Sequence, residues 1–251
     1  MLPVAILAGG LATRLGPLTK SRPKALVEVA GRPFIHWQLE LLASEGVSRV
    51  VLCVGHLGEQ IEAALGDGAE FGLRIQYSFD GPAPLGTGGA LRRALPRLGP
   101  FFFVLYGDSY PRVCCAAARE AYERSGASAL LTVFRNGGRW VPSNVLLSGD
   151  RVLIYDKDSP RNDMAHVDHG LGVLSARALE IFSDEVAFDL ADLYRELSVR
   201  GELAGLEMSE RFYEMGSFRG LAETARYLRG AADGLRKVSP RGSSRNHPSA
   251  R

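Results

Sequence analysis

The first residues in this chain that could do chemistry are a pair of glycines followed by two fixed cations: Gly9-Gly10, Arg14 and Lys24. The apolar run at 4–7 has the character of a buried strand, and Gly9-Gly10 lets the chain turn sharply and bring bare backbone N–H groups close to a ligand. Arg14 offers a planar fork of donors suited to phosphate oxygens. Lys24 follows Pro23, which stiffens the backbone leading to it. Together they suit a triphosphate. The spacing contains neither Gly-x-x-x-x-Gly-Lys-Ser/Thr nor a Gly-x-Gly-x-x-Gly that opens a helix at once, which sets aside the P-loop and the dinucleotide fingerprint.

Two further stretches carry chemistry. Residues 84–90 read Pro-Leu-Gly-Thr-Gly-Gly-Ala and run into a helix. The three glycines Gly86, Gly88 and Gly89 remove side chains where a flat ligand could lie against backbone. The helix N-terminus adds unpaired N–H donors, so a base or a phosphate could sit there. The strongly apolar run at 101–105 then delivers Tyr106-Gly107-Asp108-Ser109 at its C-terminal end, where open α/β sheets bind ligands. Gly107 permits close backbone approach, and Asp108 is a hard oxygen ligand of the kind Mg²⁺ takes alongside substrate phosphates.

These residues need a scaffold, and the apolar pattern supplies one. Phe34, Trp37, Leu41 and Leu42 recur at helical spacing until Gly46, and 49–54 is a β-rich run, which together imply a β-α-β unit. A helix at 57–65, a strand at 73–79 and the strand at 101–105 continue the alternation. The fold class expected is α/β, a mainly parallel Rossmann-like sheet flanked by helices, with the loops after the strands along one edge. Strands at 128–134, 143–147 and 151–155, the last two joined by Gly149-Asp150, predict a small antiparallel part. Leu190, Leu193 and Leu197 mark one side of an amphipathic helix at 188–199. Short strands at 203–208 and 211–214 and a last helix through Leu221, Ala225 and Leu228 complete the domain, placed at 1–232.

Composition bounds the rest. At 251 residues and 46% hydrophobic content the chain can bury a full core. The net charge of +2 owes its sign to Arg236, Lys237, Arg241, Arg245 and Arg251 near the end, so the basic balance belongs to a tail, placed at 233–251 and expected to be disordered. No nucleic-acid partner is expected. With no membrane-length apolar run and no leader pattern, the expected location is cytoplasmic. Cys53, Cys114 and Cys115 offer no zinc spacing and no even disulfide framework, and read as reduced structural thiols.

The stretch at 7–24 resembles the signature loop of the sugar-1-phosphate nucleotidyltransferases, Leu-Ala-Gly-Gly-x-Gly-Thr-Arg-Leu followed by Pro-Lys, with Ala12 in place of the third glycine. The resemblance extends in order through Gly-Thr-Gly-Gly, Gly-Asp and Glu-x-Gly-Ser, to about residue 230. It implies a single nucleotidyltransferase domain in which Leu7, Ala8, Gly9, Gly10, Gly86, Thr87, Gly88 and Gly89 bind the nucleotide. Arg14 and Lys24 are implied to act on the phosphates, and Asp108 with Glu214 to hold Mg²⁺. Tyr155-Asp156-Lys157 and Val167-Asp168-His169-Gly170-Leu171 resemble the segments that meet the sugar and its phosphate, which assigns that role to Lys157, Asp168 and Gly170. The implied substrates are a nucleoside triphosphate and a sugar 1-phosphate, with a lean towards GTP and mannose-like or heptose phosphates. UTP, dTTP or CTP with another sugar phosphate, a catalytically silent regulatory homologue, and self-association into a homo-oligomer stay open. His166 and His169 read either as a base or metal pair or as ordinary strand histidines.

Overall fold

The computed structural model describes residues 1–10, 13–112, 114–183 and 187–238, with the backbone alone at 13, 14, 17 and 231–238. In chain order the elements are β1 (Val4–Leu7), β2 (Glu28–Val29), β3 (Arg32–Pro33), α1 (Phe34–Ser44), β4 (Arg49–Val54), α2 (Gly58–Leu65), β5 (Arg74–Phe79), α3 (Gly86–Leu98) and β6 (Phe101–Tyr106). There follow β7 (Ser109–Tyr110), α4 (Cys115–Ser125), β8 (Ala129–Arg135), β9 (Val145–Ser148), β10 (Arg151–Tyr155), β11 (His166–Ser175), α5 (Leu190–Val199), β12 (Leu203–Met208), β13 (Tyr213–Glu214) and α6 (Phe218–Val238). The domain boundary expected at 232 thus falls inside α6, and 239–251 lie outside the described residues.

Among the described residues the main sheet has nine strands in the order β5-β4-β1-β6-β11-β8-β12-β10-β9. The half that carries the glycine loop is parallel, β5 with β4, β4 with β1 and β1 with β6. Beyond it the sheet is mixed, because β11 enters antiparallel to both β6 and β8, while β8 pairs parallel with β12. Antiparallel pairing therefore reaches further into the sheet than the small part expected.

Period-two alternation splits the strands between two cores. Val4, Ile6, Leu52, Val54, Phe103 and Leu105 pack with Ile35 and Leu39 of α1, Ile61 of α2 and Ala118 of α4. Ala5, Val51, Phe102 and Val104 pack on the opposite face with Leu91 and Ala94 of α3 and with Leu190, Leu193 and Leu197 of α5. The chain leaves β1 for β4 and β5 on one side and returns through α3 to β6 on the other. The crevice between the C-terminal ends of β1 and β6 is thus the topological switch point.

A third, smaller core lies over that edge. Leu15, buried completely, packs with Val27, Val29, Phe34, Met215 and Leu228, which ties the glycine loop to the last helix. Among the described residues no helix is long and apolar enough to cross a membrane.

Candidate active site

A cleft of about 780 Å³ opens at the switch point. Leu7, Ala8, Gly9 and Gly10 line it from β1, and Tyr106, Gly107 and Asp108 from β6. Gly107 donates its N–H to the Leu7 carbonyl at 3.0 Å, and a Cβ at Gly107 would run into that oxygen, so only glycine lets the two strand ends close on each other. Lys24 enters from the turn at Lys24–Leu26, after Pro23 in extended conformation, and its Nζ lies 2.7 Å from Asp108 Oδ2. The two motifs singled out by type and spacing therefore meet at one point. Leu11 and Ala12 lie outside the described residues, as does the side chain of Arg14.

Asp108 is held by groups the sequence did not flag. Gln38 of α1 is fully buried, and its Nε2 donates to the carbonyls of Tyr106 at 2.9 Å and Ser109 at 2.7 Å, bracketing the Gly107-Asp108 turn. Met215 N donates to the Asp108 carbonyl at 2.9 Å.

Glu214 pairs with Ser109 through the β13–β7 ladder, which brings its backbone beside Asp108. Its carboxylate turns the other way. It accepts from Gly216 N and, at 3.0 Å, from Ser217 Oγ, over a space that the absence of a side chain at Gly220 leaves open. Glu214 lines a second cavity of about 120 Å³, while Gly216 faces the main cleft. The two carboxylates thus face different cavities, and among the described residues no group of three or more His, Cys, Asp or Glu could hold a metal ion.

The glycine-rich stretch at 84–90 corrects an expectation. From Gly86 onward it is the first turn of α3, and the N–H donors of Thr87, Gly88 and Gly89 are taken by the chain itself. Gly88 and Gly89 donate to the Phe188 carbonyl at 2.9 and 3.3 Å, and Thr87 donates through N and Oγ1 to Asp189 Oδ1, both at 3.1 Å. Leu190 N closes the lock by donating to Thr87 Oγ1 at 2.7 Å. A Cβ at Gly86 would strike the Phe188 backbone, and one at Gly88 the Phe188 ring. These glycines admit Phe188, whereas the sequence suggested a flat ligand. Gly86 and Thr87 still line the cleft; Gly88 and Gly89 are buried behind it.

The residues expected on the sugar side gather around Tyr106. Lys157 Nζ lies over the rings of Tyr106 and Tyr155, 4.9 and 5.7 Å from their centroids. Asp168 is buried in β11, accepting from Tyr155 Oη at 3.3 Å and Gly170 N at 3.0 Å. Gly170 has φ +103, and a Cβ there would press on Ser109 at 3.0 Å. Burial first, then the Asp168 charge, pushes the hydroxyls of Tyr106, Tyr155 and Tyr194 well above their ordinary range.

His169 is an interior histidine. Burial holds its pKa down to about 4, against the opposing hydrogen bond between its Nε2 and the Glu210 carbonyl at 2.9 Å. His166 sits 3.2 Å from Glu207, so the two rings have separate partners. Cys53 reaches the cleft wall, but burial pushes its thiol up to about 12, which leaves it unreactive.

Some cleft residues escaped the pattern of types and spacing, among them a carboxylate. Asp80, the residue after β5, lines the cleft, and burial raises its carboxyl above the ordinary value, with Arg93 opposing.

Comparison with known proteins agrees with this architecture. The chain is 45% identical over 104 residues to the N-acetylmuramate alpha-1-phosphate uridylyltransferase of Neisseria meningitidis, covering 41% of this chain and 45% of that one. It is 26% identical over 253 residues to the mannose-1-phosphate guanylyltransferase of Mycobacterium tuberculosis, covering 96% and 67%. Against the first curated relatives it matches, the chain spans about half their length. The crystal structure of HddC from Yersinia pseudotuberculosis complexed with GMP-PN superposes with a TM-score of 0.75 over 91% of this chain and 100% of that one, at 21% identity, a likeness of fold. The family model of the MobA-like NTP transferase domain matches residues 4–187, most of the chain, and the protein belongs to that family.

Proposed function

We propose that the protein transfers a nucleoside monophosphate from a nucleoside triphosphate to a sugar 1-phosphate. An oxygen of the sugar phosphate attacks the α-phosphorus, a new P–O bond forms, the bond to the β-phosphate oxygen breaks, and pyrophosphate leaves. What carries the reading is the meeting of Lys24 and Asp108 at 2.7 Å in a cleft floored by Gly9 and Gly10. Positioning and charge neutralisation suffice for such a displacement, and no protein nucleophile is required.

In this reading Lys24 and Arg14 neutralise the triphosphate, and bare backbone at 8–10 lets it approach. Lys157, held over two aromatic faces, receives the sugar phosphate, with Asp168 and Gly170 shaping the sugar's side. Asp108, a hard oxygen donor with its side chain about a third exposed to the cleft, fits Mg²⁺, which takes one or two carboxylates and completes its shell with water and substrate phosphates. Glu214 would join it only by releasing Gly216 and Ser217. When bound, the ion would neutralise charge on the phosphates.

Among donors, GTP with a mannose-like or heptose phosphate is the reading carried from the sequence. The likeness to the Neisseria uridylyltransferase supports UTP as its rival. A cytoplasmic setting accords with a triphosphate substrate. The test is pyrophosphate release with Mg²⁺ across four nucleoside triphosphates and a panel of mannose, heptose, glucose and amino-sugar 1-phosphates. Release with one pair is expected; nucleotide binding without release from any pair would overturn the transfer reading in favour of a regulatory homologue.

A further inference from the structure

The cleft is polarised along its length. Lys24, Asp108 and Gly216 stand at the β6 end, where phosphates are best met. At the far end, over β4 and β5, the lining is Gly55, His56, Leu57, Glu59 and the segment from Asp80 to Pro84. The prolines Pro82 and Pro84 make a stiff apolar ledge against which a flat ring can lie. Phosphates placed at Lys24 put the base of a nucleotide at this acidic end.

Two bare backbone loops meet there with one carboxylate beside them: a Cβ on Gly9 or Gly55 would come within 3.0 Å of the other's backbone. Asp80 Oδ2 lies 3.3 and 3.1 Å from the positions that Cβ atoms on Gly9 and Gly55 would take, so a side chain on either loop would crowd it. Among the described residues no hydrogen bond reaches this carboxylate, since Arg93 donates instead to the Asp80 main-chain oxygen at 3.1 Å. Burial already disfavours the charged form of this half-buried carboxyl, and a ligand that donates hydrogen bonds to it offsets that desolvation.

We infer that Asp80 reads the nucleobase and selects guanine, the base that offers two adjacent N–H donors along one edge. Guanine N1–H and the N2 amino group can meet both carboxylate oxygens at once. Uracil and thymine present one N–H flanked by two carbonyls, which a carboxylate repels. Cytosine and adenine present an amino group beside a ring-nitrogen lone pair, so one contact is gained and one opposed. The inference rests on the nucleotidyltransferase reading for the kind of ligand, and it names the donor within it.

The test is equilibrium binding by calorimetry on the full chain, with GTP, inosine triphosphate, UTP and 2′-deoxy-GTP, alongside pyrophosphate release. Wild-type protein should bind GTP on the order of 10- to 100-fold more tightly than UTP, and more tightly than inosine triphosphate, which lacks only the N2 amino group. Asp80→Asn should lose most of the GTP preference and move towards UTP, because a carboxamide offers one donor and one acceptor. The inosine arm uses the wild-type chain and so does not depend on the variant's folding. Equal affinity for GTP and inosine triphosphate, or a wild-type preference for UTP, would overturn the inference. So would a loss in Asp80→Asn that is equal for all bases and absent with the 2′-deoxy nucleotide, which would assign Asp80 to the ribose. Guanine-selective binding with no pyrophosphate release leaves base reading intact and removes the transfer reaction; release without base preference does the reverse.

Discussion

The ammonium of Lys24 and the carboxylate of Asp108, 84 positions apart in the chain, lie 2.7 Å from each other in the cleft. Each is the other's counter-ion in the free protein, and in the proposed reaction substrate binding would exchange this pair for new ones. Lys24→Ala and Asp108→Asn should each lower turnover on the order of 10²-fold or more in pyrophosphate release, as for other lost electrostatic stabilisers. Because the pair is partly exposed, neither change should cost more than about 1 kcal/mol of stability by denaturant titration. Wild-type turnover in either variant would remove the pair from the reaction.

Gly88 lies against the Phe188 ring, so Gly88→Ala should destabilise the protein without nucleotide, by about 1–3 kcal/mol as for other overpacked cores. Thr87→Ala, which removes hydrogen bonds to Asp189 and Leu190, should cost about 1 kcal/mol. Thermal melting of the free protein checks both. A glycine needed only for nucleotide contact would leave the free protein's melting point unchanged.

Lys157 Nζ lies over the ring of Tyr106, 4.9 Å from its centroid, so the contact is with the ring. Tyr106→Phe should therefore keep the KM for the sugar 1-phosphate near wild type, and Tyr106→Leu should raise it, a loss of about 0.5–2 kcal/mol of cation–π attraction. Equal KM values in the two variants would show that the ring does not position the lysine.

His169 gives stability a pH slope of known sign. Its folded pKa, about 4, is below the ordinary 6.5, so the unfolded chain binds the proton more readily. Stability should fall as pH is lowered from 6.5 towards 4, by at most about 1.4 kcal/mol per pH unit from this group. Urea midpoints across that window should show a shallower slope in His169→Gln than in wild type.

The parallel half of the fold could be read from local pattern because its strands are short apolar runs bounded by turns. Arg49–Val54 lies where that pattern put it, the strand expected at 101–105 runs one residue further to Tyr106, and Leu190, Leu193 and Leu197 face the core as their spacing required. The start of α3 could not be read this way. A glycine-rich stretch has the local propensity of a loop, and what makes Gly86–Leu98 helical from its first residue is the carbonyl of Phe188 and the carboxylate of Asp189, about a hundred positions away. The same distance hid Gln38, whose buried clamp on the Asp108 turn leaves no trace in its neighbours' sequence. Asp80 had a signal that went unused, a single acid at the C-terminal end of a strand in an α/β sheet. The direction of the Glu214 carboxylate depends on Gly216 and Ser217 folding back on it, which charge and spacing do not reveal.

The small core around Leu15 has a consequence for the order in which the protein is made. Leu15 leaves the ribosome some two hundred residues before Met215 and Leu228, which bury it. The parallel sheet can assemble on the nascent chain, but the segment bearing Arg14 stays without its anchor until the last helix has emerged. Nucleotide capture should accordingly arise late in translation, as a property of the finished domain.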